Sequence, residues 1–375
     1  MNIGFDGKRA ANNLTGLGNY SRSLISQLSL FFHQNQYFVY TSKIKESRQI
    51  ASFFEDESIH LKFPNTSKIP FLWRSLTIVK QLKRDNISIF HGLSNEIPFG
   101  LQKRKVKSVV TIHDLIFFRF PDNFKYIDRL IYNFKSKYAC QHADLVIAIS
   151  ERTKQDIIEF YHTDPNKIKV IYQTCDDAFK LVAPENFKSS VRATYNLPKK
   201  YILNVGTVEP RKNLLLIVQA LQNVEADYKL VVVGKRKAYA DEVDAEIKKL
   251  GLADRIIFLK DIPFTDLPAI YQMASVFVYP SFYEGFGIPI IEALYGGIPV
   301  VAATGSCLEE AGGPDSIYVN PTDANALTNA INSIIVNPAL ADEMKEKGLT
   351  FVQKFNTEDV ATDLMDAYQE LNSKA

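Results

Sequence analysis

The chain has 375 residues, of which 46% are hydrophobic, 23% charged and 12% aromatic. This length exceeds one compact core and predicts two domains of ordinary size. The composition excludes a disordered, collagen-like or coiled-coil chain. Cys140, Cys175 and Cys307 are too few and too widely spaced for a disulfide framework or a zinc knuckle, which predicts a reducing compartment. Without a signal peptide pattern or an apolar run of roughly 18–20 residues, we expect a cytoplasmic protein.

The formal net charge of +2 hides a difference between the two halves. Residues 1–180 carry 26 Lys and Arg against 17 Asp and Glu, whereas residues 181–375 carry 18 against 25. Such a split is informative about partners rather than about fold. We expect the basic half to attract an anionic partner, such as a membrane surface or a phosphate-bearing substrate. Nucleic acid is not expected, because no recognised binding motif accompanies the charge.

Short β-branched apolar runs alternate with helical patterns along the first half. The predicted strands are Ile3–Asp6, Tyr37–Thr41, Ile59–Leu61, Ile87–His91, Ser108–His113, Leu145–Ile149 and Ile168–Ile171. The predicted helices between them are Asn19–Phe31, Trp73–Lys83, Tyr126–Ala143 and Glu151–Phe160. Continuously apolar strands that alternate with helices are typical of parallel sheets covered on both faces.

The second half repeats this pattern. Its predicted strands are Tyr201–Gly206, Lys229–Gly234, Ile256–Leu259, Val276–Pro280, Pro299–Ala302 and Ile317–Val319. Its predicted helices are Asn213–Leu221, Val243–Leu250, Leu267–Ala274, Pro289–Tyr295 and Ala324–Val336, followed by 339–355 and 358–371. We therefore predict an α/β protein with two Rossmann-like doubly wound domains that face each other across a cleft.

The boundary between the domains is predicted in the segment Gln173–Lys200, which has turn-forming residues and no clear period. The domains are then residues 1–178 and 179–357. We expect the last helix, 358–375, to pack back onto the first domain.

The first Gly-rich segment follows the first strand and opens a helix. It reads Thr15-Gly16-Leu17-Gly18-Asn19-Tyr20-Ser21 and lies about ten residues after the strand, which is long for a nicotinamide fingerprint. Free backbone N–H groups at a helix N-terminus still favour an anion. Gly16 and Gly18 are therefore candidates for phosphate binding, and a simple flexible turn is the alternative.

A second segment, Asn204-Val205-Gly206-Thr207-Val208-Glu209-Pro210-Arg211-Lys212-Asn213, ends one strand and starts the next helix. Two adjacent cations, Arg211 and Lys212, beside a helix N-terminus suit a diphosphate. A solvated basic pair is the alternative. We expect Thr207 and Glu209 to border the same donor site.

The most specific segment runs from Ser281 to Ala293 and contains Glu284-Gly285-Phe286-Gly287-Ile288-Pro289. Glu284 and Glu292 are separated by seven residues, which can place one carboxylate at each end of a nucleotide-sugar. Glu284 would face the sugar hydroxyls and Glu292 the ribose hydroxyls. The diphosphate would rest on backbone N–H groups of Phe286, Gly287 and Ile288 at the helix start, where Pro289 suits the first turn.

Together these segments resemble the family 4 retaining glycosyltransferases, which have the two-domain GT-B architecture. The resemblance rests on E-x7-E, V-G-T-x-E-P-R-K-N, G-x-G-N-Y and T-I-H-D-L, and it extends from the first strand to the final helix. It implies that Arg211 and Lys212 neutralise the leaving diphosphate. It also implies that His113 approaches the sugar from the N-terminal domain. Many members have Arg after the strand glycine, where this chain has Thr207, so more of the neutralisation falls on Arg211 and Lys212.

We expect a metal-independent enzyme without a cofactor. The chain contains no D-x-D pair, and its six histidines show no ligand spacing with carboxylates. Positive side chains and backbone amides would instead stabilise the departing nucleoside diphosphate.

A basic amphipathic segment, Pro70–Arg84, is a candidate for contact with the inner face of a membrane. It places Leu72, Leu76 and Val79 at helical spacing beside Arg74 and Lys80, and a basic run at 103–107 follows. The alternative is that its apolar face packs on the sheet.

The sequence thus predicts a retaining hexosyltransferase that acts in cell-surface polysaccharide synthesis. Its acceptor is expected to be a glycan, either free or linked to a lipid. The motifs of the chain most resemble those of mannosyltransferases that use GDP-mannose. The alternatives are a transferase of the same fold that uses a UDP-sugar (glucosyl-, galactosyl- or N-acetylhexosaminyl-) and a nucleotide-sugar epimerase. A third alternative is a catalytically inactive sugar-binding subunit. A nicotinamide-dependent dehydrogenase is disfavoured, because the acidic residue of the dinucleotide fingerprint is missing.

Overall fold

The chain folds into two α/β units. The computed structural model describes residues 1–64 and 72–373. The first unit combines Met1–Gln173 with Thr357–Ala375, and the second is Thr174–Asn356. The division at Gln173 lies a few residues before the expected end of the first domain at residue 178. Phe179, the first residue of the predicted second domain, packs its ring against Phe264 and Tyr271 of the second unit.

Within the described residues, the first unit has a seven-stranded parallel sheet of order β3-β2-β1-β4-β5-β6-β7. The strands are β1 Asn2–Asp6, β2 Gln36–Tyr40, β3 Ile59–Lys62, β4 Ile89–Gly92, β5 Lys107–Ile112, β6 Leu145–Ala148 and β7 Ile168–Val170. The strand order reverses between β1 and β4, so ligands are expected beyond the carboxyl ends of these two strands.

The helices of the first unit lie between its strands and after the second unit. They are α1 Lys8–Asn12, α2 Gly16–Phe31, α3 Arg48–Phe54, α4 Ile78–Arg84, α5 Ile116–Arg119, α6 Tyr126–His142 and α7 Glu151–Tyr161, with the C-terminal α16 Thr357–Ser373. The short helix α1, which was not predicted, explains the long distance between the first strand and Gly16. A π-helical turn, Trp73–Thr77, leads into α4.

The second unit has a six-stranded parallel sheet of order β10-β9-β8-β11-β12-β13. Its strands are β8 Tyr201–Val205, β9 Lys229–Val233, β10 Ile256–Leu259, β11 Val276–Tyr279, β12 Val300–Ala303 and β13 Ile317–Val319. The order reverses between β8 and β11, which are the strands that precede the two strongest motifs of the sequence.

The helices of the second unit begin in the segment that was predicted as an irregular boundary. They are α8 Glu185–Thr194, α9 Leu214–Leu221, α10 Tyr239–Lys249, α11 Leu267–Gln272, α12 Ile288–Tyr295, α13 Leu308–Gly312, α14 Ala324–Ile335 and α15 Pro338–Val352. The expectation of an irregular segment over 173–200 was wrong at α8. This helix buries only Val191, and one buried side chain gives too weak an apolar period to detect.

The C-terminal helix α16 completes the core of the first unit. Its buried residues Leu364, Met365 and Tyr368 pack in one cluster with Ile25 and Leu28 of α2. Burial of a large apolar side chain contributes about 1.5–3 kcal/mol, so this contact holds the end of the chain on the unit where it began.

The segment predicted to contact a membrane contributes one side to the core. Pro70 and Phe71 lie outside the described residues. Trp73 and Val79 are buried, whereas Leu72 and Leu76 are exposed. One side of the helix therefore packs in the core, whereas two residues of the predicted apolar stripe do not. No helix in the described residues is both long and apolar enough to span a bilayer.

Candidate active site

The site of the second unit lies at the carboxyl ends of β8 and β11. The loop after β8 and the loop after β11 are joined by a hydrogen bond from the Phe282 N–H to the Arg211 carbonyl, 2.9 Å. The Asn213 side-chain amide donates to the Pro280 carbonyl at 3.2 Å and to the Pro321 carbonyl at 2.7 Å. These bonds hold the two motifs side by side where the strand order reverses, which is where open parallel sheets bind ligands.

Arg211, Lys212 and Glu284 form one buried charged cluster. Arg211 Nη1 lies 2.6 Å from one Glu284 carboxylate oxygen, and Lys212 Nζ lies 3.3 Å from the other. Their side chains are only 12%, 17% and 12% exposed. The sequence did not predict this direct pairing, because it assigned the cations to the diphosphate and Glu284 to the sugar.

The charges of the cluster stabilise one another. Burial alone would raise the pKa of Glu284, but the positive charges of Lys212 and Arg211 outweigh it and lower that pKa to about 2. Burial would lower the pKa of both cations, but Glu284 raises each of them well above its ordinary value. All three groups are therefore fully ionised at neutral pH.

Tyr279 is a member of this cluster that sequence analysis missed. Lys212 Nζ donates to the Tyr279 hydroxyl at 2.5 Å, and that hydroxyl donates to Glu284 at 2.9 Å. The Lys212 ammonium also lies 4.9 Å from the centre of the Tyr279 ring. An aromatic residue that ends a buried strand looks like core in the sequence, so the only available signal was its position just before the loop.

Glu209 lies on the outer side of Arg211. One carboxylate oxygen accepts from Arg211 Nη2 at 2.8 Å, and the other accepts from Lys237 Nζ at 2.7 Å. Thr207, the other predicted donor-binding residue of this loop, is half-buried two residues before it. Glu209 thus pairs with Nη2 of the Arg211 guanidinium, while Glu284 pairs with Nη1.

Gly206 leaves the space that Lys212 fills. Its φ angle is +150°, and a Cβ atom at this position would lie 3.0 Å from Lys212 Nζ. Only glycine adopts such a conformation readily. A side chain at this position would therefore strain the backbone and crowd Lys212.

The N-terminus of α12 presents backbone donors. The N–H groups of Gly287 and Ile288 have no acceptor in the described part of the chain, and Pro289 stands in the first turn, as predicted. The Phe286 side chain instead packs on Phe355 in the core, with ring centres 5.4 Å apart. The predicted phosphate contacts at Gly287 and Ile288 are thus available to a ligand through the backbone.

The Cys307 thiol fixes the loop that carries Glu284. Its Sγ donates to the Glu284 carbonyl at 3.1 Å and to the Phe286 carbonyl at 2.9 Å. Cys307 precedes α13 and is fully buried. This thiol therefore has a structural role that sequence analysis did not assign.

Glu292 lies on α12 and is separate from the charged cluster. Its carboxylate accepts a hydrogen bond from the Tyr271 hydroxyl at 2.7 Å. Burial raises the pKa of Glu292 to about 7. In contrast to Glu284, this carboxyl group changes its ionisation near neutral pH, and the two carboxylates of the motif have different electrostatic environments.

His113 belongs to the first unit, at the end of β5. Its Nε2 donates to the Leu93 carbonyl at 2.8 Å, so Nδ1 accepts from the Gln173 amide at 3.2 Å. Burial lowers the pKa of His113 to about 4. A neutral ring with both nitrogens bonded to the protein is poorly suited to transfer protons. Its role near the sugar stays a prediction.

The Gly-rich segment of the first unit offers fewer free amides than expected. The Gly18 N–H donates to the Thr15 carbonyl at 2.9 Å, and a Cβ on Gly18 would meet the Asn13 carbonyl oxygen at 1.9 Å. Gly18 therefore serves the close approach of the chain to Asn13. Gly16 has open space around it, so of the two glycines it is the better candidate for ligand contact.

A cavity of about 290 Å3 lies beyond β1 and β4 in the first unit. Its charged lining residues are Lys8, Arg9, Glu96, Asp114 and Lys135, and His113 also borders it. Glu96 is paired with Arg74 and, at 2.7 Å, with Lys135. Burial would raise the pKa of Glu96, but Arg74 lowers it to about 2. The cavity therefore has fixed charges of both signs.

The described residues contain no group of three or more His, Cys, Asp and Glu side chains that could hold a metal ion. The positive charge of the second unit's site comes from Arg211 and Lys212.

Two sequence families match the two halves of the chain. The model of Glycosyltransferase Family 4 matches residues 15–179, and that of Glycosyl transferases group 1 matches residues 187–351. The chain is 28% identical over 378 residues to O-antigen chain mannosyltransferase B of Escherichia coli, covering 96% of this chain and 97% of that one. It is 30% identical over 225 residues to O-antigen chain mannosyltransferase RfbU of Salmonella typhimurium, covering 60% of each.

Solved structures agree on the fold. Anabaena HepE, crystallised with UDP and glucose, superposes with a TM-score of 0.75 at 18% identity, covering 99% of this chain and 100% of that one. The two parallel α/β units thus have the GT-B fold, and the two family models identify the chain as a glycosyltransferase. Matches over both halves place the chain in family 4 of these enzymes.

Proposed function

We propose that the protein transfers mannose from GDP-mannose to a glycan acceptor, with retention of configuration and without a metal ion. The observation that carries this proposal is the cluster of Arg211, Lys212, Glu284 and Tyr279 beside the free amides of Gly287 and Ile288. Both curated relatives described above are named as O-antigen chain mannosyltransferases, which supports mannose as the sugar.

The reaction breaks the bond between the sugar C1 and the diphosphate and forms a bond from C1 to an acceptor oxygen. Negative charge develops on the departing diphosphate, and one of its oxygens takes up the proton that the acceptor hydroxyl loses. Arg211, Lys212 and the two amides would stabilise that charge, because they are already oriented before the reaction. Glu284 would then accept hydrogen bonds from the sugar hydroxyls, and Glu292 from the ribose.

The experiment is a donor panel. GDP-mannose, UDP-glucose, UDP-galactose and UDP-N-acetylglucosamine are each incubated with the enzyme and a mannosylated glycan, with and without EDTA. We expect GDP release and glycan extension with GDP-mannose alone, unchanged by EDTA, and an α-linkage by NMR. Extension with a UDP-sugar would show that a UDP-sugar, and not GDP-mannose, is the donor. Interconversion of the donor sugar without transfer would indicate an epimerase.

We further propose that the acceptor is anchored by lipid and that the first unit contacts an anionic membrane. The support is α6, rather than the segment predicted from sequence. Tyr126, Ile127 and Phe134 on this helix are 69%, 69% and 62% exposed, and Leu130 is also exposed. An apolar helix face on the basic half of the chain fits an anionic bilayer surface.

Cosedimentation with vesicles tests this contact. Ile127→Glu should abolish binding to vesicles that contain phosphatidylglycerol, whereas Leu72→Glu on the sequence-predicted segment should leave it unchanged. Vesicles of phosphatidylcholine alone should bind weakly. Equal binding by the wild type and Ile127→Glu would contradict the assignment to α6.

A further inference from the structure

A chain of buried polar side chains connects the C-terminal helix with the Gly-rich segment of the first unit. The Tyr368 hydroxyl on α16 lies 2.6 Å from His91 Nδ1, and His91 Nε2 lies 2.8 Å from Thr111 Oγ1. Thr111 Oγ1 lies 3.2 Å from the Tyr20 hydroxyl on α2. Tyr368, His91 and Thr111 have no exposed surface. Buried polar groups at such distances hold one another in fixed orientations.

The number of available hydrogens determines which group donates in each hydrogen bond of this series. Burial lowers the pKa of His91 to about 3, so the ring is neutral and has one N–H. The three hydroxyls and this N–H supply one hydrogen more than the three contacts use. In the described residues, the Tyr368 hydroxyl has no partner besides His91, so leaving its hydrogen unused in the core would be costly.

Leaving one hydroxyl hydrogen without an acceptor costs the least free energy at the end of the series that is partly exposed to solvent. Tyr20 is the only half-buried member of the chain. The favoured arrangement therefore has Tyr368 donating to His91 Nδ1 and His91 Nε2 donating to Thr111. The Tyr20 hydroxyl then remains available to donate to an oxygen outside the chain.

Tyr20 also contacts His113. Their rings meet edge to face, with centres 4.7 Å apart at an angle of 90°. Because His113 borders the cavity of the first unit, a shift of Tyr20 is transmitted to that cavity.

We propose that Tyr368 and His91 are positioning residues of the transferase: through Thr111 they orient Tyr20, and through the Tyr20 ring they fix His113 at the cavity. The kinetic part of this inference rests on the proposed function. The structural part does not. The C-terminal helix thereby contributes to the site without touching a substrate.

Tyr368→Phe removes the hydroxyl and keeps the ring. Tyr37→Phe is a matched control, because Tyr37 is buried in the same core cluster but its hydroxyl donates to the Leu28 and Phe32 carbonyls. We expect Tyr368→Phe to lower kcat for transfer about tenfold, with an unchanged KM for the donor. Tyr37→Phe should leave kcat within about twofold. Equal kcat values for the two variants would overturn the inference.

A double-mutant cycle shows whether Tyr368 acts through Tyr20. If it does, Tyr20→Phe with Tyr368→Phe together should lose no more activity than Tyr20→Phe alone. If the two losses in activity were independent and multiplied in the double variant, Tyr368 would not act through Tyr20.

A measurement that needs no activity separates this inference from the proposed function. Nitrogen-15 NMR of the histidine rings should show His113 protonated at Nε2. Tyr368→Phe should shift the resonances of His91 and His113 but not those of the surface residue His60, and Tyr37→Phe should shift none of them. An unchanged His113 in Tyr368→Phe would refute the inference even in a fully active enzyme. The absence of any transfer by the wild type, with these shifts present, would refute only the proposed function.

Discussion

Glu284 has a role in the structure besides its proposed contact with the sugar. Its carboxylate pairs with Arg211 and Lys212, the two cations that are proposed to bind the diphosphate. Without a donor, the carboxylates of Glu284 and Glu209 thus pair with the two cations and keep them in position. A diphosphate would compete with the Glu284 carboxylate for the same donors.

Glu284→Gln keeps the size of the side chain and removes its charge. We expect kcat to fall by orders of magnitude, because the sugar loses its carboxylate, whereas GDP should bind roughly tenfold more tightly as the competing anion is gone. Titration calorimetry and initial rates measure the two effects. Glu225→Gln, at an exposed position, is the control. Weaker GDP binding in Glu284→Gln would show that the carboxylate is needed to hold the cations in place.

Glu292 should make stability depend on pH near neutrality. Its pKa is raised to about 7 from an ordinary 4.5. Its neutral form is therefore favoured in the folded state, and the associated stability is fully present below pH 4.5 and lost as the pH rises through 7.

Glu292→Gln cannot ionise, so it avoids this loss. We expect its melting temperature to exceed that of the wild type at about pH 8.5, and this advantage to vanish near about pH 4.5. Differential scanning calorimetry of both proteins across this range measures the difference. An advantage that is the same at every pH would mean that Glu292 does not titrate in this window.

At the scale of elements, the charged cluster of the site is built by the segments that follow two neighbouring strands, β8 and β11. The loop after β8 holds Arg211 and Lys212, and the loop after β11 holds Glu284. Gly234, after β9, allows a close approach, because a Cβ there would lie 1.9 Å from the Gly206 carbonyl oxygen. Glycines therefore set how closely the loops meet.

Gly206→Ala should displace Lys212. The added methyl group would lie 3.0 Å from Lys212 Nζ, in a backbone conformation that alanine rarely adopts, at a cost of about 1–3 kcal/mol. We expect GDP affinity and kcat both to fall. Gly251→Ala is the matched control, because Gly251 also has a positive φ of +67° but open space around it. It should lose stability while GDP affinity persists. Equal GDP affinity in the two variants would contradict the steric role of Gly206.

For the whole molecule, the sequence predicted the two parallel sheets because buried strands leave continuous apolar runs such as Leu230–Val233. It also predicted which loops carry Arg211, Lys212 and Glu284, since motifs that follow β8 and β11 must meet at the strand switch point. The family matches confirm the membership inferred from these motifs.

The contacts within the site could not be predicted from the sequence, for physical reasons. The pairing of Glu284 with both cations depends on loop geometry that spacing does not encode. Tyr279 and Tyr368 have the pattern of core residues, and only the positions of their hydroxyls show polar roles. The apolar stripe at Leu72, Leu76 and Val79 was ambiguous, because packing on a sheet and binding a membrane require the same helical spacing.

The most direct test of the central claim is nucleotide binding to the second unit's cation pair. Thermal shifts are measured with GDP, UDP, ADP and NAD, each with and without EDTA, for the wild type and Lys212→Gln. A ligand at about 100 times its Kd stabilises the protein by about 2.7 kcal/mol, which such a scan detects. We expect a shift with GDP alone that EDTA does not change and that Lys212→Gln abolishes. A shift with NAD only, or a GDP shift that Lys212→Gln leaves intact, would contradict the account.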